Sequence, residues 1–233
     1  MKAPRVRERV PYDAARTVNS MIVRTAKSVL LSVALAATCL MGAMSHSTGA
    51  KAARGSGDKA SIDLLGKLRV EPEYRGRYNR DLFPHWNKLT NGCYVRDQVL
   101  RDESSTPAVL HSRYCKVQSG KWYSVYDNKW FSNPALLEID HVIALSEAWD
   151  SGAWAWDART RELFANDLTM PSTLRAVSSA SNQQKSDKDP AQWLPVKAAQ
   201  CRYAADWVSI KAHWKLSVDS AERRALQGIL SRC

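Results

Sequence analysis

The residues most able to do chemistry in this chain are an adjacent acid and histidine, Asp140-His141, with the amides of Asn166 and Asn182 downstream. A histidine can remove a proton from water, and carboxylate and amide oxygens suit a hard divalent cation. Such a cation stabilises the charge that develops on phosphoryl oxygens during attack by water. The pattern therefore predicts a phosphodiester-hydrolysing site with one divalent cation, and oxygen ligands favour Mg²⁺ or Mn²⁺ over Zn²⁺.

Each of these residues receives a role in this hypothesis. Asp140 and Asn182 are the expected metal ligands, and His141 is the expected general base. Successive side chains of a strand point to opposite faces, so Asp140 and His141 can share a site only if the strand ends or bends there. Asn166 is expected to accept the proton of one imidazole nitrogen and leave the other nitrogen free as the base.

Two short apolar segments are expected to position these residues. Residues 135–140 predict a strand with Glu138 and Asp140 on one face, which makes Glu138 either a neighbour of the site or a solvent-facing acid. Residues 174–177 predict a second strand, and a helix carrying Asn182 follows it. Two strands and a helix would then converge on the site.

The remaining chain predicts an α+β domain. Residues 61–68 and 196–214 have helical spacing, and residues 219–222 form a capping box that opens a last helix. Alternating polar and aromatic residues over 117–127, around Ser119-Gly120, predict a β-hairpin. The two final helices are expected to pair.

Taken together, these motifs resemble the secreted bacterial HNH endonucleases. The resemblance runs from Leu82 to Cys233 and rests on residues 140–149, 151–153, 164–168 and 182–195. It implies a ββα-metal core, in which a hairpin and a helix hold one ion, within the α+β domain.

The resemblance also implies individual roles. Asp140 and Asn182 correspond to the metal ligands, His141 to the general base and Asn166 to a structural asparagine of the second strand. Lys185 corresponds to a lysine that faces the substrate phosphate. Arg96 is a further candidate for substrate contact, although Tyr94-Val95 stand where the family typically has an acid and a small polar residue.

Residues 1–50 are expected to be a signal peptide. Basic residues precede an uncharged run over 28–44, and small residues follow it. Met21 is an alternative start. A single membrane anchor is the alternative interpretation of residues 28–44. Cys39 would be the lipidated cysteine of a lipoprotein, but residues 36–38 before it make a poor lipobox. Residues 51–60 are then expected to be a linker, and residues 61–233 an HNH-type nuclease domain.

Cleavage of this leader would leave four cysteines, Cys93, Cys115, Cys201 and Cys233. An even number in an exported chain favours disulfides, and four cysteines allow three pairings. We favour the two local pairings, Cys93 with Cys115 and Cys201 with Cys233. Disulfide bonding of all four argues against a cysteine nucleophile.

The charge favours a polyanionic partner. Residues 1–50 contribute +5 of the formal +11, so +6 belongs to the rest of the chain. A basic exported domain attracts nucleic acid, anionic lipid or wall polymer. We expect a monomer without stable membrane association that cuts DNA, and RNA as an alternative, with little sequence selectivity. The rival hypotheses are a non-catalytic polyanion-binding protein and a hydrolase of phospholipid or wall phosphodiesters.

The other histidines and the tryptophans receive simpler interpretations. Three histidines outside the motif are expected at the surface or in the core (His85, His111 and His213). Most of the nine tryptophans are expected to fill the core, because the chain has three phenylalanines. Trp154 and Trp156 are the expected exposed ones, which makes them candidates for stacking on bases.

Overall fold

A computed structural model describes residues 54–233, with side chains from residue 59 onward. The predicted signal peptide of residues 1–50 lies outside the described residues. Helix α1 (Arg54–Leu65) begins within the segment predicted as a linker, ahead of the expected domain start near Ser61.

The described residues form a mixed α+β fold with seven α-helices and six short strands. The helices after α1 are α2 (Val95–Asp102), α3 (Leu145–Asp150), α4 (Ala158–Ala165), α5 (Ser179–Lys185), α6 (Gln200–His213) and α7 (Ser220–Leu230). The strands are β1 (Val109–Leu110), β2 (Val117–Ser119), β3 (Trp122–Ser124), β4 (Lys129–Phe131), β5 (Leu137–His141) and β6 (Leu174–Ser178). None of the helices in this part of the chain is both long and apolar enough to cross a bilayer.

Strands β5 and β6 form an antiparallel pair, and α5 follows β6 directly. The register places Asp140 opposite Arg175 and His141 opposite Leu174. Ser178 ends β6 and caps α5, because its side chain accepts a hydrogen bond from the backbone N–H of Ser181. The chain therefore turns sharply from strand to helix and lays α5 beside β5.

Hydrophobic clusters hold this strand pair from both sides. The larger cluster joins Val142 and Val177 to the apolar faces of α3, α6 and α7. The smaller cluster packs alternate residues of the two strands on α2, β2 and β3 (Leu137, Ile139, Leu174 and Ala176). Burial on two sides fixes the register, since a shift of one residue would reverse every side chain.

The prediction of a hairpin over residues 117–127 is wrong, because the two strands of this segment do not pair with each other. The two strands form, but β2 pairs with β1 and β3 pairs with β4, each antiparallel. At Gly120 a Cβ would lie 2.6 Å from the Trp122 ring, and the carbonyl of Lys121 accepts hydrogen bonds from Ser105. The chain therefore bends away between the two strands, and glycine allows the close approach.

The C-terminal helices pack against each other as predicted, and α1 packs on both. Asp219 and Glu222 form the predicted capping box at the start of α7. Cys201 is bonded to Cys233 across this helix pair, and Cys93 is bonded to Cys115. Both disulfides agree with the predicted pairings.

Candidate active site

His141 lies at the end of β5 with its ring held by the main chain. Its Nε2 lies 2.9 Å from the carbonyl oxygen of Ala165. A carbonyl can only accept, so Nε2 carries the proton and Nδ1 is the unprotonated nitrogen. Burial lowers the pKa of His141 to about 3, although the hydrogen bond to Ala165 acts in the opposite direction. The ring is therefore neutral at physiological pH, with Nδ1 able to accept a proton.

Asn166 lies next to this contact but does not make it. The side chain of Asn166 was expected to accept a hydrogen bond from His141, but the Ala165 carbonyl accepts it instead. Asn166 ends α4 rather than lying in the second strand. Its Nδ2 donates to the carbonyls of Pro84 and Glu162, each at 2.8 Å, and its Oδ1 accepts from the N–H of Asn87. Asn166 thus fixes the loop that presents the Ala165 carbonyl.

Asp140 is buried and holds two hydrogen-bond donors. Lys185 Nζ lies 2.9 Å from its Oδ1, and the Tyr126 hydroxyl donates to its Oδ2 at 2.7 Å. Burial raises the pKa of Asp140 above its usual value, and Lys185 and Tyr126 oppose that shift. Burial also raises the pKa of Tyr126, so this hydroxyl stays protonated and donates.

Lys185 is not placed to meet a substrate. Its side chain is 0% exposed, and Nζ also donates to the carbonyl of His141 at 3.0 Å. The expected role as a phosphate-facing lysine does not fit this burial. Lys185 instead ties α5 to the end of β5 through Asp140 and the backbone of His141.

Glu138 and Asn182 lie side by side on the same face of β5 and α5. Asn182 Nδ2 donates to Glu138 Oε2 at 2.7 Å, and Gln183 Nε2 donates to Oε1 at 3.0 Å. This geometry leaves the Asn182 Oδ1 as an acceptor. Each carboxylate oxygen has two lone pairs, so Asp140 and Glu138 can also bind a cation. Two carboxylates and an amide oxygen are hard ligands that fit Mg²⁺ or Mn²⁺.

These side chains line one cleft of 480 Å³. Asp140, His141 and Asn182 all contribute to it, as predicted from their spacing. Tyr78 and Arg80, from the segment before α2, line the same cleft. Both are exposed, and neither was identified from the sequence.

A second histidine was also missed. The His85 ring lies 6.1 Å from the His141 ring between centroids, and Trp86 lies 5.2 Å from it. His85 Nδ1 lies 2.6 Å from the carbonyl of Phe83, so Nε2 accepts from Arg80 at 3.3 Å. His85 therefore orients Arg80 beside the site. The cluster of basic and aromatic residues over 78–86 was the available signal.

Arg96, the other basic candidate, and Arg175 on β6 have internal partners. Arg96 donates to the carbonyls of Pro134 and Leu137, so it supports the start of β5 and is absent from the residues that line the cleft. Arg175 pairs with Asp206 at 3.0 Å. Arg80 is thus the arginine among the described residues that lines the cleft.

Comparison with known proteins identifies relatives of this chain. Residues 94–229 match the family described as GmrSD restriction endonucleases, C-terminal domain. The chain is also similar to an uncharacterized secreted protein of the fungus Arthroderma benhamiae. The two are 40% identical over 172 residues, which cover 73% of this chain and 83% of the fungal protein. No solved structure matches.

Proposed function

Because the chain belongs to the family of GmrSD restriction endonuclease C-terminal domains, we propose that it is a metal-dependent endonuclease of the HNH type. It hydrolyses phosphodiester bonds of DNA, and of RNA as an alternative substrate, with little sequence selectivity. Its domain acts as a monomer. The protein is secreted, which agrees with its two disulfides and with the description of its fungal relative.

The observation that carries this proposal is the state of His141. With Nε2 engaged by a carbonyl, the neutral imidazole leaves Nδ1 as the nitrogen that can accept a proton from water. The base needs no deprotonation step near neutral pH. His141 also lines the cleft that a phosphodiester would enter.

In this proposal β5, β6 and α5 are the ββα-metal core. Asp140 and Asn182 would hold one divalent cation, Mg²⁺ or Mn²⁺, and Glu138 lies close enough to Asn182 to assist. When bound, that cation neutralises charge on the phosphoryl oxygens and on the leaving oxygen. Lys185 and Tyr126 orient the Asp140 carboxylate from the protein side.

Arg80 takes the role of phosphate contact in place of Lys185. It is exposed, lines the cleft and is oriented by His85. A guanidinium presents several donors that match phosphate oxygens. Binding through Arg80 would bring a phosphate into the cleft that His141 lines.

The test is cleavage of DNA and RNA by the purified protein with Mg²⁺, with EDTA, and as His141→Ala. We expect the substitution to lower kcat by about 10²- to 10⁴-fold, as removal of a general base does. His213→Ala is the matched control, since His213 is exposed at the end of α6 and should leave cleavage unchanged. Undiminished cleavage by His141→Ala would overturn the mechanism. Salt-sensitive binding without cleavage would favour the non-catalytic hypothesis, and cleavage of lipid or wall polymer alone would favour the third.

A further inference from the structure

Two exposed aromatic rings, which are not among the residues that line the cleft, lie against each other. Tyr74 is 40% exposed and Trp154 is 47% exposed. Their ring centroids are 4.8 Å apart with an angle of 31° between the planes. Exposed paired rings of this kind offer a flat surface on which another ring system can stack. The expected exposure of Trp154 is thus met, whereas Trp156 packs against Phe164 and Trp214.

The backbone fixes the position of this aromatic pair. The Tyr74 N–H donates to the carbonyl of Asp150, and Trp149 Nε1 donates to the carbonyl of Gly76 at 2.7 Å. A Cβ on Gly76 would lie 3.2 Å from the Tyr74 ring, so the ring rests close against this glycine. Trp154 lies in the short 3-10 helix Ala153–Ala155 that follows α3. Both rings are therefore anchored at the carboxyl end of α3, and Leu145 at the opposite end of this helix lines the cleft.

The aromatic pair is continuous with the cleft along the chain. Tyr78 lines the cleft and follows Tyr74 by four residues. Four residues span at most about 14 Å, which is about the length of four stacked nucleotides. A strand held at the cleft can thus reach the pair with its neighbouring nucleotides.

The charges differ between the segment that leads to the cleft and the surroundings of the aromatic pair. Arg77 and Arg80 are exposed along the segment that leads to the cleft. Glu73 and Asp150 flank Tyr74 instead, and Glu73 is paired with Arg75. Burial and nearby acids raise the pKa of Asp150 to about 6, so it is mostly ionised at neutral pH. Acids repel a phosphate, whereas a neutral base can still stack on the rings.

Resting on the proposed nuclease function, we infer that the Tyr74–Trp154 pair stacks an unpaired nucleobase of the substrate strand. Bases within a duplex already stack on their own neighbours, so the pair favours single-stranded nucleic acid. Tyr74 precedes residues 94–229, which match the family, and Trp154 lies within them.

The experiment measures binding and cleavage of a short single strand. Binding of fluorescein-labelled oligo(dT) of eight nucleotides is followed by polarisation in the His141→Ala background, so that the strand stays intact. Trp154→Ala is expected to weaken binding about tenfold, the order expected for loss of one stacked base. Trp154→Phe should recover most of the affinity because it restores an aromatic face.

Trp130→Ala is the matched control. Trp130 is 56% exposed and also pairs with a tyrosine, Tyr123, at 5.1 Å. It lies on the β3–β4 hairpin, which contributes no residue to the cleft, whereas the segment that carries Tyr74 continues to Tyr78 in the cleft lining. It should leave binding unchanged. With His141 present, Trp154→Ala should lower kcat/KM about tenfold on the eight-nucleotide strand and leave cleavage of the dinucleotide dTpdT unchanged.

The outcomes separate the two claims. Equal binding by the Trp154→Ala and parent proteins, or a larger effect of Trp130→Ala, would overturn the stacking inference even if the protein is a nuclease. Weaker binding by Trp154→Ala without cleavage of any strand by the wild type would overturn the nuclease function and leave the stacking surface in place.

Discussion

Asp140 meets an ammonium and a phenol within the protein, and both are buried with it. An ionised carboxylate in such a place depends on its partners, because desolvation of an unpaired charge is costly. The primary role of Lys185 is therefore to stabilise the buried charge of Asp140. Its loss would affect folding as well as chemistry.

We predict that Lys185→Met destabilises the protein by about 3 to 5 kcal/mol, the cost of leaving a buried charge without its partner. The measurement is urea unfolding followed by tryptophan fluorescence. Lys188→Met is the control, because Lys188 Nζ donates to the Gln184 carbonyl at the surface, and its loss should cost less than about 0.5 kcal/mol. If Lys185→Met kept its stability but bound DNA more weakly, Lys185 would instead contact the substrate phosphate.

At this scale the sequence identified Asp140, His141 and Asn182 as neighbours because their chemistry is specific. It could not show which way Lys185 faces. Asn182 and Lys185 are three residues apart on α5, so helical spacing places both on the side toward β5. Only packing against Asp140 and His141 decides that Asn182 reaches the cleft and Lys185 is buried. His85 and Arg80 were missed because no spacing links them to residue 141.

Among the elements, the strands were easier to predict than their partners. Alternating residues over 117–127 correctly indicated extended chain on both sides of Gly120. Alternation carries no information about which strand lies opposite, however, and both β2 and β3 found other neighbours. By contrast, β5 and β6 were predicted close to their observed bounds, since short apolar runs bounded by polar turns define them. Helix α5 was predicted as the helix that carries Asn182.

Strand β6 is supported by Glu103, which gives a second prediction. Glu103 Oε2 accepts the Ala176 N–H at 2.8 Å, and burial raises the pKa of Glu103 to about 7. The folded state therefore binds a proton more tightly than the unfolded state between the unfolded pKa of 4.5 and about 7. Stability contributed by this group is present below that window and is lost as pH rises through it.

Glu103→Gln should remove this contribution and keep an acceptor for Ala176. Unfolding by urea at pH 4.5 and pH 8 should show a fall in stability with pH that is about 3 kcal/mol smaller in the variant than in the wild type. Glu71→Gln is the control at an exposed acid and should follow the wild type. Equal slopes for the wild type and Glu103→Gln would contradict the prediction.

The buried Lys211 connects three helices of the domain, and the sequence did not predict this role. Lys211 Nζ on α6 contacts Glu147 on α3 and Glu222 on α7, each at 2.7 Å, and the Ser151 hydroxyl at 2.8 Å. Glu147 is therefore a buried partner of Lys211. Such a network cannot be predicted from spacing, because its members are 64 and 11 residues apart from Lys211.

The disulfide between α6 and α7 gives a prediction at the same scale. Cys201 and Cys233 are separated by 32 residues, and closing such a loop restricts the unfolded chain by about 3 to 4 kcal/mol. The double variant Cys201→Ser/Cys233→Ser should lose about that much stability in urea. Wild type treated with a reductant provides the comparison. A loss below about 1 kcal/mol would show that helix packing alone holds the pair.

The contact between His141 and the carbonyl of Ala165 has an evolutionary consequence. Where a side chain orients a histidine base, one substitution of that side chain removes the contact that fixes the tautomer. A backbone carbonyl, by contrast, is present in every residue. Substitutions at position 165 are constrained by packing alone, because Ala165 is fully buried. Any residue at position 165 supplies the carbonyl that fixes the protonation state of His141. Only substitutions that move the backbone of this loop would change that state.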